Sequence, residues 1–351
     1  MKKESIPVFE VLDGGFFTTV QDLGRYGSQK YGVPISGAMD LFSLKIANLL
    51  VRNNIAEAAL EITGLGKVKL KFLTHTVIAI TGADLGPVID TSPAPMWKAQ
   101  RVNRGEVLSF QDAKRGFRAY LAVTGGIDVP LVLGSRSTYL KANIGGLEGR
   151  TLRRGDKISS FLPQISLEKI VCRRLPDEFV PDLTDEVEIG VVMGPQDDYF
   201  TEQGIKTFLN SWYEVTTESD RVGYRLEGPI IPHKNKAEII SDAIPQGAIQ
   251  VPGNGLPIIL MADRQVTGGY PKIACVASVD IPRVAQLKPG DKIKFKQMDV
   301  KEAHKMLNEE SEKLSTIENI LNRQREEFPE KRYKVKIEGK TFQVTVKEIK
   351  E

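Results

Sequence analysis

The sequence predicts a mainly β protein made of two similar, barrel-like halves with few helices. Apolar and charged residues alternate over short runs between glycine-rich turns, as from Val68 to Phe72, and this pattern is typical of a strand with one buried face. The segment LRRGDKI at 152–158 also returns as LKPGDKI at 287–293. The repeat predicts that each half is closed by the same turn and strand. A charged turn before a strand is common in β proteins, so coincidence is the alternative.

The predicted helices interrupt the strands without alternating regularly with them, which argues against a doubly wound sheet. Apolar residues at helical spacing predict helices at about 40–52 and 201–213. The stretch 162–186 is rich in proline and acidic residues and is expected to connect the halves. We therefore expect an N-terminal domain at 1–165 and a second domain at 185–298.

Residues 299–351 are expected to form a separate tail. Asp299 is placed to cap a helix with Glu302 three residues on, and apolar residues follow at helical spacing. The stretch YKVKIEGKTFQVTVKEI alternates on both sides of Gly339 and predicts a β-hairpin. Because an isolated hairpin is marginal in water, it is expected to contact a partner protein or to add an edge strand to the barrel.

Composition argues against several classes of function. The 351 residues include 48 basic and 45 acidic side chains, a balance that predicts neither a nucleic-acid nor a membrane partner. The two cysteines, Cys172 and Cys275, are too few for a disulfide framework. With no signal-peptide pattern and no apolar run of membrane-spanning length, a cytoplasmic location is expected. No metal-ligand spacing or phosphate-loop motif occurs, so no metal site is predicted.

The strongest candidate for a functional site is the run TTVQDLGRYGSQKYGVPISGAMD at 18–40. It places Gln21, Asp22, Arg25, Ser36 and Asp40 among four glycines and a proline. Constrained backbone that holds so many polar groups is typical of a binding loop, and a capped turn before a helix is the alternative. We assign catalytic roles here to Asp22, Arg25 and Asp40, as candidates for a general base or for holding an anion.

A wider set of polar residues in glycine-rich loops is expected to bind a small amide or carboxylate substrate. Guanidinium groups present a planar fork of donors to such ligands. The alternatives are solvated surface pairs for the arginines and capping for the carboxylates. The predicted substrate-binding residues are Gln21, Ser36, Arg136, Ser137, Glu148, Arg221, Asp263 and Gln265.

Longer blocks carry a resemblance to a known family. They are AALEITGLG (58–66), TGADLG (81–86), RAYLAVTGGIDVPLVLGSRSTYL (118–140), GGLEGRTLRRGD (145–156), SDRVGYRLEGP (219–229) and SDAIPQGAIQVPGNGLPIILMADRQVTGGYP (241–271). With the run at 18–40, they resemble the family of 5-oxoprolinase C subunits. This family is also called allophanate hydrolase subunit 2 or biotin-dependent carboxyltransferase, and it includes an antagonist of a sporulation kinase inhibitor. The likeness extends over nearly all of 8–297, which makes it far more specific than a short motif.

The resemblance implies two cyclophilin-like β-barrel domains and a role in an ATP-dependent 5-oxoprolinase. That enzyme opens 5-oxo-L-proline to L-glutamate with the help of two further proteins, its A and B subunits, the second of which is similar to allophanate hydrolase subunit 1. The cofactor implied is ATP with Mg, shared with the complex. The tail hairpin is similar to the opening strands of biotinyl carrier domains, but no Ala-Met-Lys-Met segment follows, so biotin is not expected on this chain.

Two alternatives stay open. One is carboxyl transfer as a component of a biotin-dependent urea or amide carboxylase, because the carboxyltransferase region of urea carboxylases is built from the same two modules. The other is a regulatory protein that binds and antagonises a kinase inhibitor homologous to the B subunit, without catalysis.

Overall fold

The computed structural model describes residues 4–162, 166–171, 173–324, 331–337 and 340–346. Cys172 and Gly339 lie outside these ranges. Over the described residues the chain is mostly β with four α-helices, and no helix among them combines the length and apolarity needed to cross a membrane.

The strands and helices have the following bounds. The strands are β1 Ser5–Gly14, β2 Thr18–Gln21, β3 Ala59–Thr63, β4 Val68–Phe72, β5 Thr76–Asp84, β6 Val88–Ile89, β7 Ser92–Pro93, β8 Ala99–Val102, β9 Val107–Ser109, β10 Arg115–Val123, β11 Ile127–Asp128, β12 Lys157–Phe161, β13 Glu186–Met193, β14 Tyr213–Val215, β15 Gly223–Glu227, β16 Asp242–Ala243, β17 Ala248–Gln250, β18 Ile258–Leu260, β19 Thr267–Gly268, β20 Lys272–Val276, β21 Lys292–Gln297, β22 Lys331–Ile337 and β23 Lys340–Val346. The α-helices are α1 Leu41–Leu50, α2 Glu202–Asn210, α3 Ile281–Ala285 and α4 Val300–Arg323.

The first half consists of two packed sheets. One has the strand order β11-β12-β1-β4-β9-β6-β7, and the other has the order β2-β3-β10-β5-β8. The second sheet is covered on both faces, because alternate residues of β5 enter different cores. Ile78 and Ile80 pack with the first sheet, whereas Val77 and Ala79 pack under α1. This explains why β5 is a nearly continuous apolar run and not an alternating one.

The second half is a closed seven-stranded barrel with the order β13-β20-β17-β18-β15-β14-β21. The barrel closes where β13 and β21 pair in parallel, from Glu186 with Lys292 to Val191 with Gln297. Its core also contains Met39 from the first half. The predicted barrel is therefore confirmed for this half, in which the strands form a closed ring. The first half consists instead of two packed sheets.

The repeated segment adopts the same local structure in both halves. Gly155 and Gly290 have φ angles of +91° and +92°, a region that favours glycine. The aspartate that follows each glycine caps the turn: Asp156 accepts a hydrogen bond from Arg153 N at 2.8 Å, and Asp291 accepts one from Lys288 N at 2.9 Å. β12 and β21 begin immediately afterwards.

The tail begins as predicted. Asp299 accepts a hydrogen bond from Glu302 N at 2.7 Å at the start of α4, and Ile317 and Leu321 pack against the core under α1. The hairpin strands β22 and β23 pair with each other and with no other strand that the structure describes, so the proposed edge-strand addition to the barrel is wrong. The division into domains at 165, 185 and 298 stays a prediction about folding units.

Candidate functional site

A cleft of about 310 Å³ opens where the two halves meet. The first half contributes Phe117, Arg118 and Lys141, and the second half contributes the loop 217–222 and Asp263. The lining combines three cations with carboxylates, hydroxyls and apolar side chains. Such a mixture suits a small ligand that carries negative charge, because the cations fix its orientation while the apolar walls exclude water.

The floor of the cleft is an ion pair within the second half. Arg221 donates from Nε to Asp263 Oδ2 at 2.9 Å and from Nη2 to Gly37 O at 2.6 Å. Burial opposes the charge on Arg221, but Asp263 and Glu61 more than compensate and raise the pKa of its guanidinium. Arg221 therefore remains a cation at the floor of the cleft.

Glu61 connects this ion pair to the first half. Its side chain pairs with Arg221, lies 3.9 Å from Arg118 Nε, and accepts hydrogen bonds from Met39 N at 2.8 Å and Tyr120 Oη at 2.7 Å. Burial disfavours the carboxylate, but the two guanidiniums reverse this effect and hold the pKa of Glu61 below its ordinary value. Glu61 is thus a buried anion shared by arginines from both halves.

Arg118 makes a second link across the interface. Its guanidinium donates to Tyr224 Oη and, at 2.6 Å, to Ala285 O, both in the second half. Burial raises the pKa of Tyr224, so this hydroxyl stays protonated. Two arginines, one from each half, therefore line the cleft and share Glu61 behind it.

Asp40, predicted to be catalytic, occupies the other end of the same polar interface. It caps α1 by accepting from Ser43 N at 2.9 Å and Ser43 Oγ at 2.6 Å, and it accepts from Gln286 Nε2 at 2.8 Å. Burial raises the pKa of its carboxyl. Asp40 lines a second cavity of about 310 Å³ beside α3 and α4, on the other side of Tyr120, whose hydroxyl accepts from Asp40 N and donates to Glu61.

Asp22 organises the loop at 135–137. Its carboxylate accepts from Gly24 N at 2.8 Å, Ser135 Oγ at 2.6 Å, Arg136 N at 2.5 Å and Ser137 Oγ at 2.5 Å. With four donors in place, the carboxylate is committed to holding two loops together. These contacts position the two loops, and the catalytic role assigned to Asp22 stays a prediction.

Arg25 lies beneath this loop and is fully buried. Its Nη2 donates to Ser137 O, and Asp22, Asp263 and Arg221 all lie within electrostatic reach of it. Gln21 and Ser36, which belong to the same sequence run, are also buried. Gln21 Nε2 donates to Thr138 O at 3.2 Å, and Ser36 N donates to Ala262 O at 3.1 Å. The structure thus brings the predicted loop close to the Arg221–Asp263 pair.

Three predicted residues lie apart from this cluster. Glu148 is a surface residue whose Oε2 lies 2.9 Å from Arg150 Nη2. Arg136 donates from Nε to Val129 O at 3.1 Å and lies 3.8 Å from Glu57, so only its backbone N–H reaches Asp22. Gln265 is exposed on the turn after Asp263. The structure does not bring their side chains to the cleft.

Sequence reasoning missed Glu61, Arg118, Lys141 and Gln286. Glu61 and Arg118 are each flanked by apolar residues within a strand, and both lie in the sequence blocks that carry the family resemblance. A charged residue in a buried strand needs a partner, and this signal could have identified both. Lys141 and Gln286 carry no comparable local signal. Among the described residues, no three His, Cys, Asp or Glu side chains come together as metal ligands.

This mostly β architecture, two packed sheets followed by a closed barrel, is that of a carboxyltransferase domain. The chain belongs to the family described as carboxyltransferase domain, subdomain A and B, whose profile matches residues 31–297. This identification also confirms the family resemblance inferred from the sequence blocks.

Named relatives fall into two groups. The chain is 39% identical over 300 residues to the 5-oxoprolinase C subunit of Escherichia coli K12, covering 85% of this chain and 94% of that protein. It is 35% identical to the same subunit of Haemophilus influenzae, covering 90% and 99%. The crystal structure of Kluyveromyces lactis urea carboxylase matches 89% of this chain and 29% of that one, with a TM-score of 0.83 and 34% identity.

Proposed function

We propose that this chain is the C subunit of an ATP-dependent 5-oxoprolinase that opens 5-oxo-L-proline to L-glutamate. The observation that carries the proposal is the cleft with Arg118, Lys141 and Arg221 around Asp263, in a chain that spans nearly the whole length of a relative named for this activity. We place the activity in the cytoplasm, in a complex with the A and B subunits.

The chemical difficulty is the lactam, whose C–N bond is stabilised by resonance. When bound, ATP would supply the activation: transfer of its terminal phosphoryl group to the lactam oxygen, with release of ADP, would make the ring carbon electrophilic. A first water would then add to that carbon, and the C–N bond would break as the nitrogen takes up a proton, which leaves an acyl phosphate of glutamate. A second water would hydrolyse the acyl phosphate to inorganic phosphate and the carboxylate of glutamate. The carboxylate of the substrate and the transferred phosphoryl group are both negatively charged, and Arg118, Lys141 and Arg221 are the groups in the cleft that would complement this charge.

The chain's own residues would act by binding and electrostatics. Arg221 is held in one orientation by Asp263, Glu61 and Gly37 O, so it offers a fixed positive charge that needs no reorganisation during reaction. Lys141 is exposed at the rim and would attract anionic substrate. We propose that ATP and its magnesium would be held jointly with the partner proteins, and that the three cations of the cleft would contribute positive charge for the phosphates.

The direct test is ATP-dependent release of glutamate from 5-oxoproline by this chain co-expressed with the A and B subunits. The wild-type mixture is compared with mixtures that carry Arg221→Met or omit this chain. Activity that needs the chain and is lost in the variant supports the proposal. Full activity without the chain contradicts it.

Carboxyl transfer is the second candidate, and the match to urea carboxylase favours it. Here the cleft would receive a carboxyl group from carboxybiotin on another protein and pass it to urea or an amide. A biotinylated partner that co-purifies, together with substrate-dependent turnover of its carboxybiotin, would select this function. Tight binding to the B subunit with neither activity would instead favour the regulatory alternative.

A further inference from the structure

Arg25 carries a buried positive charge that the described residues leave incompletely paired. Its side chain has no exposed surface. Nη2 donates to Ser137 O, but Nε and Nη1 have no hydrogen-bond partner among the described residues. A buried guanidinium with unpaired N–H groups is costly. Its burial lowers the pKa of Arg25, against the opposing influence of Asp22 and Asp263.

The two nearby carboxylates are already engaged with other groups. Asp22 accepts hydrogen bonds from Gly24, Ser135, Arg136 and Ser137. Asp263 is bound to Arg221 through both oxygens, at 2.9 and 3.3 Å. In the described part of the chain neither forms an ion pair with Arg25 within 4.0 Å. The described carboxylates therefore leave the positive charge of Arg25 incompletely compensated.

Ser36 supplies a second unpaired donor, on a segment whose backbone lies beside that of Arg25. Arg25 N donates to Ile35 O at 2.8 Å, and the backbones of Gly24 and Gly37 are in close contact, so the segments 24–25 and 35–37 lie side by side. Ser36 has a φ of +55°, and its buried Oγ has no hydrogen-bond partner among the described residues. A left-handed conformation is unusual for serine and is typical of functional sites.

This position adjoins the cleft. Ser36 N donates to Ala262 O, next to Asp263, and Gly37 O accepts from Arg221. On the other side, Tyr26 and Gly27 are exposed, so the guanidinium lies in a loop whose next residues reach the surface. The segments that carry Arg25 and Ser36 thus adjoin the Arg221–Asp263 ion pair on one side and exposed residues on the other.

We propose that Arg25 and Ser36 bind a carboxylate anion, with Arg25 N–H groups and Ser36 Oγ donating to its oxygens. Under the proposed function, on which the identity of the ligand rests, this is the carboxylate of 5-oxoproline, which the lactam ring carries in addition to its amide. Binding at this point holds the substrate by the group that does not react and leaves the lactam directed toward Arg221. Under carboxyl transfer, the same donors would bind bicarbonate or the transferred carboxyl group.

Thermal unfolding of the full chain in chloride buffer tests the anion site directly, without turnover. The probes are 5-oxo-L-proline, bicarbonate and 2-pyrrolidinone, which is the same lactam without the carboxylate. We expect 5-oxoproline to raise the Tm and 2-pyrrolidinone to leave it unchanged. Arg25→Met should abolish the rise, whereas the control Arg225→Met, at a side chain that is 54% exposed, should preserve it.

The outcomes separate the sources of the anion. A rise with bicarbonate and none with 5-oxoproline supports the site and assigns it to carboxyl transfer. No rise with either anion, or an undiminished rise in folded Arg25→Met, overturns the proposal. Should Arg25→Met fail to fold, Ser36→Ala retains the arginine, and a wild-type response from that variant overturns the proposal.

Kinetics of the full complex distinguish this inference from the proposed function. Loss of a charge-assisted contact to the substrate predicts that Arg25→Met raises KM for 5-oxoproline by about 10- to 100-fold. Normal turnover with an unchanged KM in this variant would leave the 5-oxoprolinase function intact and overturn the carboxylate site. No turnover by the wild-type complex would contradict the proposed function, while the anion-dependent Tm would still decide the inference.

Discussion

Gln286 and Asp40, 246 residues apart in the chain, share a hydrogen bond of 2.8 Å at the interface of the two halves. Gln286 Nε2 also donates to Arg118 O at 3.0 Å, and its Oε1 accepts from Phe117 N at 3.1 Å and Arg118 N at 3.0 Å. One buried side chain, immediately after α3, thus holds β10, which carries Arg118 into the cleft, and the cap of α1.

Replacing Gln286 with alanine should therefore loosen the interface and misplace Arg118. Four hydrogen bonds are lost and buried backbone groups are left unpaired, so we expect a loss of about 2–4 kcal/mol in the free energy of unfolding. Urea denaturation measures this loss. The exposed Gln265→Ala should change the free energy by no more than about 0.5 kcal/mol, and equal effects of the two variants would contradict this account.

Glu61 should make stability depend on acid pH. Its pKa is lower in the folded protein than in the unfolded chain, so its stabilising effect is complete above the unfolded value of about 4.3 and is lost as the pH falls through the folded value. Glu61→Gln should destabilise the protein by about 3–5 kcal/mol near neutral pH, since it leaves two buried guanidiniums without their anion. The difference in unfolding free energy between wild type and variant should shrink below about pH 4. A difference that stays constant from neutral pH to below about pH 4 would refute this prediction.

Asp22→Asn should disrupt the loop at 135–137 without touching the cleft directly. An asparagine at this position places an amide donor either against the hydroxyls of Ser135 and Ser137, which donate to Oδ1, or against Arg136 N, which donates to Oδ2. We expect a loss of about 2–3 kcal/mol, with faster amide exchange in 135–137 than in the barrel of the second half. Glu148→Gln, at a carboxylate that is 71% exposed, is the matched control and should be neutral within about 0.5 kcal/mol.

Arg221→Lys should show whether the site needs the planar guanidinium of Arg221 in addition to its positive charge. Lysine retains a positive charge but cannot contact Asp263, Glu61 and Gly37 O together, because its ammonium lacks the planar fork. In the complex we expect kcat/KM for 5-oxoproline to fall by about 10- to 1000-fold. The surface variant Arg225→Lys should retain wild-type values. Similar kinetics for both variants would remove Arg221 from the proposed site.

Deleting residues 328–351 tests the docking role predicted for the tail. The hairpin strands β22 and β23 pair only with each other among the described strands, whereas α4 is attached through Ile317 and Leu321. The truncated chain should therefore retain its Tm within about 2 °C but lose affinity for its partner proteins in co-purification. Unchanged complex formation would show that the hairpin does not contribute to docking.

Much of the local structure was predictable from the sequence because it depends on neighbours in the chain. Alternation identified strands such as β4, Asp299 marked the start of α4, and the repeated Gly-Asp turn preceded both β12 and β21. The family blocks led to the correct family because they are long and occur in order. α3 was missed, since five residues after a 3-10 turn carry no helical period.

The sequence by itself determined the strands, the caps, the family and a glycine-rich loop that contains Arg25. Only the tertiary structure decided which charges meet. Glu61 contacts Arg221 across 160 positions, and Gln286 reaches Asp40 from the other half. A buried charge must have a partner, but which partner it finds depends on which sheet faces pack together, and no local pattern encodes that. The cleft is a product of the interface between the halves, and the incomplete pairing of Arg25 becomes visible only there.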